Sequence, residues 1–141
     1  MEMERFRKLG LSEVSITALA GKGFEEPTFI QEKCIPLLLR GGVDVVGQAQ
    51  TGTGKTAAFG LPVLELVDPA LSTVQALILT PTRELALQVS EELNSLKGTR
   101  QVRIVPIYGG QSMGLQLSRL KEGAQIVVGT PGRIQDLIDR R

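Results

Sequence analysis

The chain has 141 residues, 42% hydrophobic and 22% charged, with 16 Lys and Arg against 15 Asp and Glu, the composition of one globular domain that buries about two-thirds of its unfolded surface. It has no histidine and a single cysteine, Cys34, which excludes His-based triads, His-ligated metal sites and an internal disulfide and fits a reducing cytosol. No run approaches the roughly 18 apolar residues of a membrane span, and MEMERFRKLG at the start mixes charges of both signs, unlike a secretory signal, so a cytoplasmic protein without membrane contact is expected.

In chain order, Leu11, Val14, Ile16, Leu19 and Ala20 fall near one helical face, with Ser12 as N-cap, Glu13 in the positive first turn and Gly21 and Gly23 at the end. After Glu26-Pro27-Thr28 a second helix is expected over Ile30–Leu39, stopped by Gly41-Gly42; on it Cys34 reads as a small buried side chain. Val43, Val45 and Val46 form a short β-branched run expected to be a strand, and TAAFGLPVLELV has helical spacing with Pro62 as a kink or break. VQALILT, ending at Thr80, is a continuous apolar run, expected to be a strand buried on both faces in a parallel sheet. A helix capped by Thr82 follows, with Glu84 in its first turn and Leu85, Val89, Leu93 and Leu96 at helical spacing. VRIVPIY is a third strand, Gly109-Gly110 open a helix through Leu120, AQIVVGT is a fourth strand, and Pro131 suits the first position of a last helix. Alternating strands and helices predict a doubly wound α/β fold, one domain over residues 1–141, with ligands at the C-terminal ends of the strands.

Between the first strand and its helix lies AQTGTGKT, Ala49-Gln50-Thr51-Gly52-Thr53-Gly54-Lys55-Thr56. Gly52 and Gly54 permit backbone angles that a Cβ would block, so consecutive N–H groups can form an anion nest at a helix N-terminus. Lys55 would reach the outer phosphates of a polyphosphate, and the Thr56 hydroxyl would ligate magnesium. The generic P-loop pattern asks for glycine where this chain has Ala49; the end, GTGKT, is intact.

All four apolar runs are followed at once by polar, Gly- or Pro-containing residues: QAQTGTGKT, TPTREL, YGGQS and GTPGR. In a parallel sheet these lie on one edge. Up to Leu96 there are eight Lys and Arg against twelve Asp and Glu; from Lys97 onward there are eight against three. The basic C-terminal third could meet nucleic-acid phosphates or form a solvated face.

These residues resemble the first RecA-like domain of the DEAD-box ATP-dependent RNA helicases. GFEEPTFIQ, Gly23 to Gln31, is similar to the family's Q motif, with Phe29 where the family usually has proline, and Phe6 lies 17 positions before Gly23, at the place of an isolated aromatic. AQTGTGKT matches motif I with its alanine; Pro81-Thr82-Arg83-Glu84-Leu85-Ala86 matches motif Ia; Gly109-Gly110 the GG doublet; Thr130-Pro131-Gly132-Arg133 motif Ib. The resemblance implies a RecA-like P-loop fold with a parallel sheet and helices on both faces, ATP and Mg2+ as cofactors, and single-stranded or duplex RNA as partner. Gln31 would read the adenine edge through its amide, Phe6 would stack on the ring and Thr28 would assist, while Ala49 to Thr56 hold the phosphates, Lys55 and Thr56 in catalytic roles. Pro81, Thr82, Arg83, Gly109, Gly110, Thr130, Pro131, Gly132 and Arg133 would grip the sugar-phosphate backbone, giving sequence-independent, salt-sensitive binding.

No apolar run ends in Asp-Glu, and Asp68, Asp136 and Asp139 lie in helical patterns. The resemblance therefore implies an N-terminal piece, incomplete at its C-terminus, that binds ATP and RNA but lacks the hydrolytic carboxylates and the second RecA-like domain. It implies Asp-Glu-Ala-Asp within about twenty residues beyond Arg141, and unpaired strand edges or a groove that favour a fragment dimer or leave the fragment marginally stable. An RNA clamp that scarcely unwinds shares these motifs; a P-loop protein of another kind is opposed by the Q-motif stretch.

Overall fold

The structure, a computed structural model, describes residues 3–140. The chain divides into two compact units, one of residues up to Leu66 with Glu92–Arg100, the other of Val67–Glu91 with the residues from Gln101 onward.

The first unit is helical: α1 (Glu4–Arg7), α2 (Glu13–Gly21), α3 (Phe29–Arg40), α4 (Lys55–Leu66) and the last turn of α5 (Arg83–Leu96). A four-residue helix such as α1 cannot hold itself together, and it is fixed instead by Phe6, which is fully buried and meets Phe24 edge-on at 6.3 Å. Burying a phenylalanine contributes roughly 1.5–3 kcal/mol. Arg5 adds ion pairs to Glu26 and Glu32. Helix α3 starts at a capping box: the Thr28 hydroxyl accepts from the Gln31 N–H at 3.4 Å and the Gln31 Oε1 accepts from the Thr28 N–H at 3.0 Å. It ends at Gly41, whose φ is +74°. Helices α3 and α4 pack through Ile30, Cys34 and Ala58, with Leu38, Val45 and Ala49 against them. Of the kink or break expected at Pro62, the break does not occur: α4 runs on to Leu66 with Pro62 inside it.

Ser12 precedes α2 as expected but makes no side-chain cap. Its N–H and hydroxyl both donate to Glu65 Oε1 at 2.9 Å, where the Ser15 hydroxyl at 2.5 Å and Arg100 Nη2 at 2.9 Å also converge. The two charged side chains are only 14% and 11% exposed. Burial pushes the Glu65 carboxyl up, but the hydrogen bonds from Ser15 and Ser12 and the Arg100 charge outweigh it, so it titrates below the ordinary 4.5.

The second unit holds a parallel sheet of β1 (Ala76–Leu79), β2 (Ile104–Ile107) and β3 (Ile126–Gly129) in the order β1-β3-β2, with Leu79 and Ile107 both level with Gly129. The central β3 is buried at every position, as an apolar run flanked on both sides requires. Helices α6 (Met113–Lys121) and α7 (Pro131–Arg140) bring Leu120, Ile134 and Leu137 onto Val105, Ile107, Ala124 and Val127. Pro131 is the first residue of α7, and the Thr82 hydroxyl accepts from the Leu85 N–H at 3.1 Å to cap α5. In α5 the buried row is Ala86, Val89, Leu93 and Leu96, with Leu85 37% exposed.

Two strand expectations are corrected. The run Val43–Val46 forms no strand: Val46 is 99% exposed and Val43 56%, and only Val45 packs. A strand persists where a neighbour takes its N–H and C=O groups; in the described residues the three strands of the sheet pair only with one another. Strand β1 is not buried on both faces, since Leu77 and Leu79 are 52% and 55% exposed on the face that carries Val105 and Val127. Its outer edge has no strand partner among the described residues.

Candidate nucleotide loop and nucleic-acid interface

The segment Ala49-Gln50 is irregular, Thr51-Gly52 turns, and Lys55 is the first residue of α4. Gly52 and Gly54 have φ of +82° and +78°, a region that a side chain disfavours. The Thr53 hydroxyl donates to the Gln50 carbonyl at 2.6 Å and braces the turn. The first N–H groups of a helix have no intrahelical acceptor and carry its positive end, and here they sit beside an exposed Lys55 and a half-buried Thr56. That donor set fits a polyphosphate with a hard cation.

Gln31 is fully buried, yet it reaches this loop: its Nε2 donates to the Gly54 carbonyl at 3.2 Å while its Oε1 closes the capping box. A Cβ on Gly54 would overlap the Gln31 amide. The structure therefore joins Thr28, Gln31 and Gly54 in one cluster. Phe6 is placed in the core against Phe24 of the same Gly23–Gln31 stretch. Phe29 is 74% exposed, with Lys33 Nζ 5.5 Å from its ring centroid, and α3 starts on it without a break. Beside Lys55 lies a cavity of about 350 Å³ lined by Ile30, Cys34, Leu38, Val45, Gly47, Ala58 and Phe59. Its walls suit aliphatic groups rather than phosphate.

In the second unit three loops leave the same rim, because β1, β2 and β3 end level with one another. The Thr80 N–H donates to the Gly129 carbonyl and the Thr130 N–H to that of Ile107, at 2.9 and 3.1 Å. Pro81, Thr82 and Arg83 are exposed after β1. Arg83 makes a loose 3.4 Å ion pair with Glu84, which its own backbone N–H and then Arg83 hold below the usual carboxylate range. Gly109 and Gly110 are exposed after β2; Gly110 has φ of +87°, and a Cβ there would lie 3.1 Å from Arg83 Nη1. Pro131 and Gly132 are exposed after β3, beside half-buried Thr130. Arg133 Nη1 donates to the Gln111 carbonyl at 3.1 Å and to Gln116 Oε1 at 3.3 Å. The sequence placed four loops on this rim; the sheet itself brings together three.

Two clusters escaped the sequence reading. Gln116, fully buried on α6, donates to the Tyr108 carbonyl and to Gln111 Oε1 at 2.9 and 2.8 Å. Its one signal was a polar residue four before Leu120, where an inward apolar side chain is the norm. The Glu65–Arg100 pair, 35 residues apart in sequence, had none. Asp68, expected in a helix, follows α4 and accepts from the Ala70 N–H in a turn. Among the described residues no cluster of three or more His, Cys, Asp or Glu is placed to hold a metal, and no helix is long and apolar enough to cross a membrane.

A parallel α/β sheet with its loops gathered at one rim, and a glycine turn feeding Lys55 into a helix, are the marks of a RecA-like P-loop fold. Residues 28–141 match the family model of the DEAD/DEAH box helicases, and the chain belongs to that family. It is 55% identical over 139 residues to the ATP-dependent RNA helicase CshA of Listeria monocytogenes, across 99% of this chain and 26% of that protein. Identity to the DEAD-box ATP-dependent RNA helicase CshA of Geobacillus kaustophilus is also 55%, across 98% of this chain and 29% of that protein. The chain thus spans little more than a quarter of the length of these relatives. A crystal structure of a DEAD box protein from the hyperthermophile Methanococcus jannaschii superposes with a TM-score of 0.92 at 51% identity, over 96% of this chain and 37% of that one. Dbp5 of S. cerevisiae, in a structure bound to RNA and ADP BeF3, superposes at 0.84 with 35% identity, over 96% of this chain and 34% of that one.

Proposed function

We propose that residues 1–141 form part of the first RecA-like domain of a cytoplasmic ATP-dependent RNA helicase, supplying its ATP-binding loop and one RNA-binding rim. The observation that supports this reading is the hydrogen bond from Gln31 to Gly54, which ties the amide proposed to read the base to the turn proposed to hold the phosphates. In the present arrangement the Gln31 amide uses one N–H and one oxygen lone pair. A primary amide has two of each, so one N–H and one lone pair stay uncommitted; because Gln31 is fully buried here, an adenine edge that presents both reaches them only once the Gly54 turn gives way. Thr28 orients the amide through the capping box, and Phe6 acts from the core by holding Phe24 and the stretch that ends in Gln31.

Residues Ala49 to Thr56 wrap the phosphates, Lys55 neutralises their outer charge, and the Thr56 hydroxyl is the magnesium ligand. Magnesium bound with the nucleotide supplies charge neutralisation during phosphoryl transfer. On the rim Arg83 and Arg133 contribute charge, Thr82 and Thr130 hydroxyls, and Gly109 and Gly110 backbone N–H groups, while Pro81, Pro131 and Gly132 leave the backbone open to approach. None of these reads a base, so RNA is gripped by its backbone. Hydrolysis and unwinding belong to a longer protein whose second RecA-like domain closes on the same RNA.

Titration of the chain with ATP and GTP tests the nucleotide half: ATP binds more tightly, and Gln31→Ala removes the preference. Equal binding of the two nucleotides by the parent chain defeats the assignment of Gln31.

A further inference from the structure

We infer that Gln116 is a positioning residue for nucleic-acid binding: its buried amide sets Arg133 and the Gly109-Gly110 turn in one geometry, so that both meet the same backbone. The inference rests on the RNA-binding reading of the rim and adds to it a residue that touches no RNA.

Gln116 is fully buried, one turn into α6, a helix that starts where the Ser112 hydroxyl accepts from the Leu115 N–H. Its Nε2 donates to the Tyr108 carbonyl, the residue just before Gly109, at 2.9 Å and to Gln111 Oε1, the residue just after Gly110, at 2.8 Å. One amide nitrogen thus clasps the glycine pair from both sides. Its Oε1 accepts from Arg133 Nη1 at 3.3 Å, and the same guanidinium nitrogen donates to the Gln111 carbonyl at 3.1 Å and approaches Met113 Sδ at 3.8 Å. Arg133 has five N–H donors in a rigid fork. With Nη1 committed inward, Nη2 and Nε remain for a phosphate.

Two features separate this from a core glutamine that merely satisfies itself. The partners lie on two different loops of the rim, each leading to residues assigned to RNA, and the bond to Arg133 restrains a long side chain that otherwise loses rotamer freedom when it binds. Restraining such a side chain in advance, together with the turn, strengthens binding about five- to tenfold.

The test is a double-mutant cycle on the 141-residue chain, read by fluorescence anisotropy of labelled oligouridylate across a salt series, with melting curves for every variant. Gln116→Leu keeps the volume and removes all three hydrogen bonds; Gln116→Glu keeps an acceptor for Arg133 and removes both donors to the turn. Gln116→Leu is expected to weaken binding about five- to tenfold, Gln116→Glu by less, and Gln116→Leu to cost less in the Arg133→Ala background than in the parent, because part of its effect passes through that side chain and the rest through the glycine turn. If Gln116→Leu does not fold, Gln116→Met, an unbranched side chain of similar length that also lacks the acceptor for Arg133, carries the cycle. Full additivity of Gln116→Leu with Arg133→Ala, or parent-like affinity of Gln116→Leu, overturns the positioning role while leaving the rim intact. A parent chain that binds no oligouridylate, or whose binding ignores both salt and Arg133→Ala, removes the RNA-binding reading and this inference together.

Discussion

Gly54→Ala separates the phosphate-loop geometry from its support by Gln31. At φ of +78° the new side chain costs about 1–2 kcal/mol through its clash with the following carbonyl. The Cβ would also overlap the Gln31 amide, which cannot swing away freely because it is buried and closes the capping box. Losing the bond to the Gly54 carbonyl costs about 1 kcal/mol, and opening the box about 1 more. Together these give about 3–4 kcal/mol of lost stability. Gly52→Ala is the control: φ is +82° but nothing lies within 4 Å of a Cβ there, so only the first cost applies. Urea denaturation of the two variants should differ by about 2 kcal/mol, and Gln31→Ala, which by itself removes the same bond and box, should cost much less in the Gly54→Ala background than in the parent. Equal losses for the two glycines, or a Gln31→Ala cost that is unchanged in the Gly54→Ala background, would falsify the proposed coupling of Gln31 to the loop.

Arg100→Ala leaves Glu65 buried without its charge partner and should cost about 3–5 kcal/mol in denaturant melts. Because the folded Glu65 carboxyl titrates below 4.5, its contribution is complete above that pH and is lost as pH falls through the lower folded value. Acid titration of Glu65→Gln should therefore show a shallower loss of stability below pH 4.5 than the parent. Arg83→Ala should weaken RNA binding alike for every sequence and reduce the slope of log K against log salt by about one; a sequence-dependent loss contradicts backbone contact. Self-association through the open edge of β1 is expected, and Leu77→Lys should abolish it in sedimentation velocity; an unchanged profile rules that edge out.

Where a residue's role depends on its near neighbours in sequence, it was legible from the start. Thr82 caps α5, Pro131 opens α7 and Gly52 and Gly54 take left-handed angles because each needs only its own backbone to do so. The three strands that pair were legible too, since each is an apolar run of the right length between turn residues. What failed was what requires a partner from elsewhere. The Val43–Val46 run has strand composition, but composition supplies no neighbour to receive its hydrogen bonds. Ser12 has the right identity and position for a cap, but Glu65 and Arg100 arrive from distant positions and take its hydroxyl. Leu77 and Leu79 belong to an apolar run, yet no described strand follows β1 outward to bury them.

Gln31 and Gln116 show one physical device used twice. Each is fully buried, each lies within the first turn or so of a helix, and each spends its Nε2 on a carbonyl of a loop that must hold an unusual backbone, Gly54 in one case and Tyr108 beside Gly109 in the other. An amide suits this place because it is neutral, so its burial avoids the penalty of a charge, and because it offers donors and an acceptor together. A carboxylate of the same shape offers no donor. Gln31→Glu and Gln116→Glu should consequently release their loops without removing any contact that either loop makes for itself. The two variants would differ in what remains: in Gln116→Glu the new carboxylate still faces Arg133 with an acceptor, whereas Gln31→Glu sets a negative charge beside the turn proposed to hold phosphates. The same substitution should therefore be mild at the nucleic-acid rim and severe for nucleotide binding.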